Sequence, residues 1–216
     1  MRIAIIANGE WDSVWGRTKL REEKFDLLIC ADGGANLALA AGIVPDVLIG
    51  DLDSATQDTI SKCEENKVRI IKYPSEKDET DLELAVNYAH SYMKGQPEKE
   101  ILLYAAGGKR LDHLLGNIAI MLGSAQKGLK FIMVDKDYRA WVMLPGRDTI
   151  AGAKGQSLSI IPLSEKAEVN THGLYYELNN LVLWQNSTRG ISNVFEQTEI
   201  KLEVLQGCVL IIMQSF

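Results

Sequence analysis

Six short apolar runs, separated by longer polar and helical stretches, fill the first part of the chain. They are Ile3–Ala7, Leu27–Ala31, Val47–Ile49, Val68–Ile71, Ile101–Ala105 and Phe131–Val134. Runs this short, apolar along their whole length, suit strands buried on both faces, and parallel sheets need a crossover between consecutive strands. The intervening segments supply those crossovers. Ala35–Ala41, Thr59–Asn66, Thr80–Met93 and Leu111–Ala125 have helical character, and in the third of these Leu82, Ala85, Val86, Ala89 and Met93 recur at helical spacing as one apolar stripe. Strand–helix alternation of this kind predicts an α/β unit with a mostly parallel, Rossmann-like sheet.

Beyond about residue 138 the period shortens to that of exposed-and-buried alternation. Ala140–Leu144, Ser157–Leu163, Leu181–Leu183, Glu199–Val204 and Val209–Met213 are separated by glycine and asparagine turns, with no helical stripe among them. This predicts a C-terminal antiparallel β-sandwich. The expected division is residues 1–137 as an α/β domain and 138–216 as the sandwich.

In an open parallel sheet, ligands bind beyond the carboxyl ends of the strands. Here those ends carry Asn8-Gly9, Asp32-Gly33-Gly34, Gly50-Asp51-Leu52-Asp53-Ser54, SEKDETD over residues 75–81 and GGKRLDH over residues 107–113. Five successive strands thus deliver glycines, acids and bases to one edge. Asp51-x-Asp53 read alone would be a polar turn with a helix cap. Read with the other four edges, it becomes part of a site. Asp51, Asp53 and Asp81 are hard oxygen ligands suited to Mg²⁺, which bridges carboxylates to phosphates. Asp78 is the expected N-cap of the helix that follows, with Asp81 in its first turn. Gly33-Gly34 and Gly107-Gly108 allow close approach of backbone to phosphate, each with a helix N-terminus behind it. Arg110 can grip phosphate oxygens in a bidentate fashion, with Lys109 as a second, mobile charge.

Other classes are disfavoured. A net charge of −6 does not suit a general nucleic-acid binder, and there is neither a G-x-x-x-x-G-K-[ST] loop nor a G-x-G-x-x-G after the first strand. Three well-separated cysteines, Cys30, Cys63 and Cys208, fit reduced thiols in a cytoplasm, and the apolar N-terminal run is too short for a membrane span. A phosphatase with Asp51 as nucleophile would want its D-x-D after the first strand, whereas here it follows the third.

Taken together, ADGGAN (31–36), PDVLIGDLDS (45–54), EKDETD (76–81) and GGKRLDH (107–113), with GLYYEL (173–178) and GISN (190–193), resemble the thiamine pyrophosphokinase family in its bacterial form. The resemblance spans nearly the whole chain. It implies transfer of the pyrophosphoryl group of ATP to thiamine, giving thiamine diphosphate and AMP, with Mg²⁺. It further implies a homodimer in which thiamine sits between one subunit's catalytic domain and the other's sandwich. Matched residue by residue, Asp51, Asp53 and Asp81 would hold the metal and, with Arg110, form the catalytic set. Asp32, Gly33, Gly34, Asn36, Ser54, Thr80, Gly107, Gly108, Arg110, Asp112 and His113 would line the nucleotide. Tyr176, Ser192 and Asn193 would face thiamine, with Tyr176 standing where some relatives carry tryptophan. Two alternatives stay open at this level: a pyrophosphokinase for another small alcohol such as a hydroxymethyl pterin, and a non-catalytic nucleotide- or thiamine-binding regulator.

Overall fold

The computed structural model describes residues 1–215 and divides into two compact units, Met1–Lys136 and Asp137–Phe216. The first unit holds strands β1 (Arg2–Ile6), β2 (Leu27–Ala31), β3 (Val47–Gly50), β4 (Arg69–Lys72), β5 (Glu100–Tyr104) and β6 (Lys130–Val134). Their spatial order is β4-β3-β2-β1-β5-β6, and every pair is parallel. The chain therefore winds outward from β1 to β4, returns to β5 beside β1, and winds the other way. Between β1 and β5 lies the topological switch point, where loops splay apart and leave a crevice. The central strands carry the core: Ile3, Ile5, Ile6, Ile29, Leu48, Ile49, Ile101 and Leu103 are wholly buried.

Helices α2 (Gly34–Ala40), α3 (Gln57–Glu65), α4 (Asp81–Tyr92) and α5 (Leu111–Gln126) fall where the apolar spacing puts them. A fifth, α1 (Ser13–Glu22), was not among the expected helices. Its sequence, SVWGRTKLRE, buries just Gly16 and Leu20, so it lacks an apolar stripe, and a central glycine lowers its propensity. What forms it is the cap: Asp12 accepts from the amides of Val14 and Trp15. The cap of α4 also differs from expectation. Thr80, not Asp78, accepts from the Glu83 amide, which leaves Asp81 in the first turn as expected.

Two antiparallel sheets make up the second unit. One has the order β12 (Asn193–Val194), β9 (Ser157–Pro162), β14 (Val209–Gln214), β7 (Tyr138–Met143). The other runs β11 (Leu181–Trp184), β10 (Lys166–His172), β13 (Glu199–Gln206), β8 (Gly146–Ala151). Inward-facing residues of both, among them Leu158, Ile160, Val169, Leu183, Ile200, Leu202 and Ile211, form one core with Phe195, which is the packing of a sandwich. Strands β8, β10 and β12 were not foreseen. Lys166–His172 (KAEVNTH) buries just Ala167, Val169 and Thr171, an alternation carried by one small and one polar residue and so faint on a hydrophobicity reading.

Candidate active site

The carboxyl ends of the first five strands converge on a cavity of about 1210 Å³ whose walls come entirely from the first unit. At the switch point the loops after β1 and β5 are laced together: the Gly9 amide donates to Ala105 O (2.7 Å) and the Glu10 amide to Gly107 O (3.0 Å). Several residues at these ends adopt left-handed backbone, namely Asp32 (φ 44°), Leu52 (φ 67°) and Ala105 (φ 51°). Non-glycine residues pay strain in that region, and such strain gathers at functional loops.

The acidic residues meet as the strand edges predict, in a somewhat different grouping. Asp32, Asp51 and Asp53 each present an oxygen such that the three lie within 4.8 Å of one another. Asp32, expected beside the nucleotide, is thus a potential metal ligand as well. It is buried, and its carboxylate accepts from the amides of Ser54 (3.2 Å) and Ala55 (3.2 Å). Burial pushes its pKa up, with the hydrogen bonds from Ser54 and Gly33 opposing and the charge of Asp81 adding.

Asp81 stands next to this trio. The reason it can approach is Gly50, whose backbone has φ 148° and where a Cβ would lie 3.0 Å from Asp81 Oδ1 and 3.1 Å from Asp32 Cβ.

Lys77 is the site residue that sequence reasoning passed over. Its Nζ donates to Asp51 Oδ2 at 2.9 Å and forms an ion pair with Asp81 Oδ1 at 3.1 Å. The second contact is close in distance but not aligned as a hydrogen bond, so Asp81 Oδ1 is buried with a charge beside it and no directed donor. The Lys77 and Asp51 side chains are 11% and 10% exposed. The hydrogen bond from Lys77 lowers the pKa of Asp51, and the same bond raises that of Lys77.

The remaining nucleotide-side residues take varied roles. Gly33 is the N-cap position of α2, and Gly34 packs so closely on β1 that a Cβ would lie 2.1 Å from Ile6 O. The need for glycine at position 34 is therefore helix–strand contact. Asn36 donates to Ser54 O (2.9 Å) and accepts from the Thr56 amide (3.0 Å), which ties α2 to the loop carrying Asp51 and Asp53. Ser54 Oγ in turn donates to Asp53 Oδ1 (3.0 Å). Ser54, Thr80, Gly107, Gly108, Asp112 and His113 all border the cavity. Arg110 occupies the N-cap position of α5 without a side-chain capping bond and makes a bidentate pair with Asp112 (2.9 and 2.6 Å), both side chains well exposed. That hydrogen bonding holds the Asp112 carboxyl well below the usual range and raises Arg110.

In the second unit, Tyr176 is 61% exposed and lies edge-on to Tyr175, ring centroids 4.8 Å apart. Ser192 has φ 58° and donates its amide to Ser159 Oγ (3.0 Å). Asn193, expected to face thiamine, is buried, and its side chain is engaged with the backbone of Tyr176 and Val194. It holds the neighbouring tyrosine in place.

Comparison with known proteins bears on the family and the fold. Residues 18–133 match the family model described as thiamin pyrophosphokinase, catalytic domain, and residues 147–209 that described as thiamin pyrophosphokinase, vitamin B1 binding domain. The thiamine pyrophosphokinase of Bacillus subtilis is 31% identical over 215 residues, 99% of this chain and 98% of that one. A crystal structure of the Bacillus subtilis enzyme superposes with a TM-score of 0.87 at 28% identity, covering 100% of this chain and 99% of that one. One of thiamin pyrophosphokinase from Geobacillus thermodenitrificans gives 0.84 at 28% identity, covering 100% and 98%. On the strength of two matched domains and a relative aligned end to end, the chain belongs to the thiamine pyrophosphokinase family.

Proposed function

We propose that this protein transfers the pyrophosphoryl group of ATP to the hydroxyl of thiamine, giving thiamine diphosphate and AMP, with Mg²⁺ as the metal. The observation that carries this reading is the convergence of Asp32, Asp51 and Asp53, with Asp81 and Lys77 beside them, on a cavity at the β1/β5 switch point. The donor set of the four aspartates is all carboxylate oxygen, which fits a hard divalent cation rather than a soft one. Asp51, Asp53 and Asp81, with Asp32 in reach, are the residues that would hold it. A cation so held would neutralise phosphate oxygens and tether them to the protein.

The chain's own groups supply the rest. In the reaction the thiamine oxygen forms a bond to the β-phosphorus while the bond from that phosphorus to the α,β-bridging oxygen breaks. AMP leaves with the bridging oxygen, and the hydroxyl proton is released. Such transfers depend on alignment and charge neutralisation more than on covalent help from the protein. Glycine backbone at Gly107 and Gly108 lets the polyphosphate lie close. Arg110 would exchange Asp112 for phosphate oxygens, a swap of one bidentate partner for another. The loop hydrogen bonds from Asn36 and Ser54 hold the acid-bearing turn at a fixed position.

The cavity lining carries carboxylates, amides, glycines, cationic side chains and some aliphatic ones, but no phenol, phenyl or indole ring among the described residues. Tyr176, exposed in the second unit, suits the cationic thiazolium and the flat pyrimidine of thiamine. We infer a homodimer in which Tyr176 and Ser192 of one subunit serve the acids of the other, and a cytoplasmic location in keeping with three free thiols. No helix among the described residues is long and apolar enough to cross a membrane.

Incubation with ATP and Mg²⁺ and either thiamine or a hydroxymethyl pterin tests the acceptor. Thiamine should be consumed and the pterin left unchanged; the reverse would overturn the assignment. Mixing Asp51→Asn subunits with Tyr176→Ala subunits, each inactive alone, should restore activity in mixed dimers. A fully active monomer would reject the shared site.

A further inference from the structure

We propose that Lys77 is an internal counter-ion that competes with the divalent cation for Asp51 and Asp81, so that metal entry requires the ammonium to be displaced. The inference rests on the metal-dependent reading above and gives Lys77 a role that reading does not assign. Lys77 Nζ lies 2.9 Å from Asp51 Oδ2 and 3.1 Å from Asp81 Oδ1, and so occupies the space between two of the three carboxylates assigned to the metal. Both ions of the Lys77–Asp51 pair are nearly buried, and their attraction is weakly screened by solvent compared with a surface pair.

The pairing has a geometric consequence. The oxygens that lie within 4.8 Å of one another belong to Asp32, Asp51 and Asp53, and Asp81 is outside that group. Asp81 Oδ1 faces Lys77 without an aligned donor. A carboxylate in that condition gains when a better-placed cation replaces the ammonium. Lys77 lies in the loop four residues before Asp81, the first residue of α4, and lines the same cavity as Gly107 and Gly108. An ammonium released from Asp51 therefore remains in the cavity on its flexible stem, where a polyphosphate supplies a new partner. Lysine thereby couples the two ligands: metal without phosphate leaves the displaced ammonium to the carboxylates along the cavity wall, among them Glu10, Glu83 and Asp112, whereas metal arriving with phosphate brings a concentrated negative charge to receive it.

The test needs no thiamine and no turnover, so it stands apart from the assignment of the reaction. Nucleotide-free wild-type protein and the Lys77→Met and Lys77→Gln variants are titrated with Mn²⁺, with free Mn²⁺ followed by its electron paramagnetic resonance. Removing a positive charge adjacent to a divalent site should tighten Mn²⁺ binding about ten-fold. Without metal, both variants should melt below wild type because two carboxylates lose their shared counter-ion, and added Mn²⁺ should raise their melting temperatures more than it raises that of wild type. Lys77→Arg, which keeps the charge, should bind Mn²⁺ as weakly as wild type. A lysine that merely braces the loop would give variants with unchanged or weaker Mn²⁺ binding. That outcome, or no measurable Mn²⁺ binding in any form, overturns the proposal.

Discussion

Asn193 grips Tyr176 by both ends of its amide: Oδ1 accepts from the Tyr176 amide at 3.0 Å, and Nδ2 donates to the Tyr176 carbonyl at 2.7 Å. The same Oδ1 also accepts from the Val194 amide at 2.9 Å. A buried side chain thereby fixes the backbone beneath an exposed aromatic ring, linking packing in the sandwich to the placement of the ring proposed to meet thiamine.

Asn193→Ala should therefore weaken thiamine binding without touching thiamine. Three backbone groups lose their partner, a cost of about 1–3 kcal/mol, which for a chain of this size lowers the melting temperature by several degrees. The KM for thiamine should rise while the KM for ATP stays near wild type. Steady-state kinetics with each substrate varied in turn would check this, and an equal rise in both would contradict it.

Asp51→Asn and Asp53→Asn should each abolish turnover but differ in their effect on the fold. Asp53 is exposed, and its replacement should leave the melting temperature of the metal-free protein unchanged. Asp51 receives the Lys77 hydrogen bond, so Asp51→Asn leaves a nearly buried ammonium with Asp81 alone and should destabilise. From the sequence, two acids so close suggest repulsion, and their removal a small gain in stability. The presence of Lys77 reverses that expectation for position 51. Scanning calorimetry alongside activity would separate the two variants, and a rise in melting temperature for Asp51→Asn would refute the pairing.

Which parts of this were legible beforehand follows from what each residue depends on. Leu27–Ala31 was visible to the residue because it is buried throughout, so its hydrophobicity reports its structure directly. The acids at the strand ends were visible because in a parallel sheet the polar residue after each strand has one place to go. Helix α1 was not, since it is held by the Asp12 cap and two buried positions rather than by a stripe. Lys77 was hidden for a different reason. Within SEKDETD a lysine looks like any solvated surface base, and what makes it special is that β3 brings Asp51 across to it from 26 residues away. Asn193 was named from its motif, but its hold on the Tyr176 backbone was not, since a motif gives a residue's place and not the partners of its side chain.

A cluster at the opposite edge of the parallel sheet offers a control on stability alone. Glu100, at the start of β5, is 15% exposed and pairs with Arg2 across β1 and with Lys130 across β6 (3.0 Å). Burial raises its pKa, but the hydrogen bonds from Lys130 and Arg2 outweigh it, and the net displacement is downward. A carboxyl depressed on folding contributes stability that is present above its unfolded pKa, about 4.3, and is lost as pH falls through the folded value. Glu100→Gln should thus cost about 1–2 kcal/mol near pH 7 and progressively less below about pH 4, with kcat unchanged throughout. Denaturant melts at a series of pH values would check the sign. A cost that grew on acidification would contradict it.

The central claim is attack at the β-phosphorus, and the nucleotide product reports it directly. With ATP, Mg²⁺ and thiamine, chromatography of the reaction mixture should show AMP and thiamine diphosphate rising together in equal amounts, with no ADP. A cation held by Asp51, Asp53 and Asp81 would then neutralise the migrating β- and γ-phosphates, with Arg110 and the Gly107-Gly108 turn keeping the chain in line. ADP accompanied by thiamine monophosphate would mean attack at the γ-phosphorus and would contradict the account.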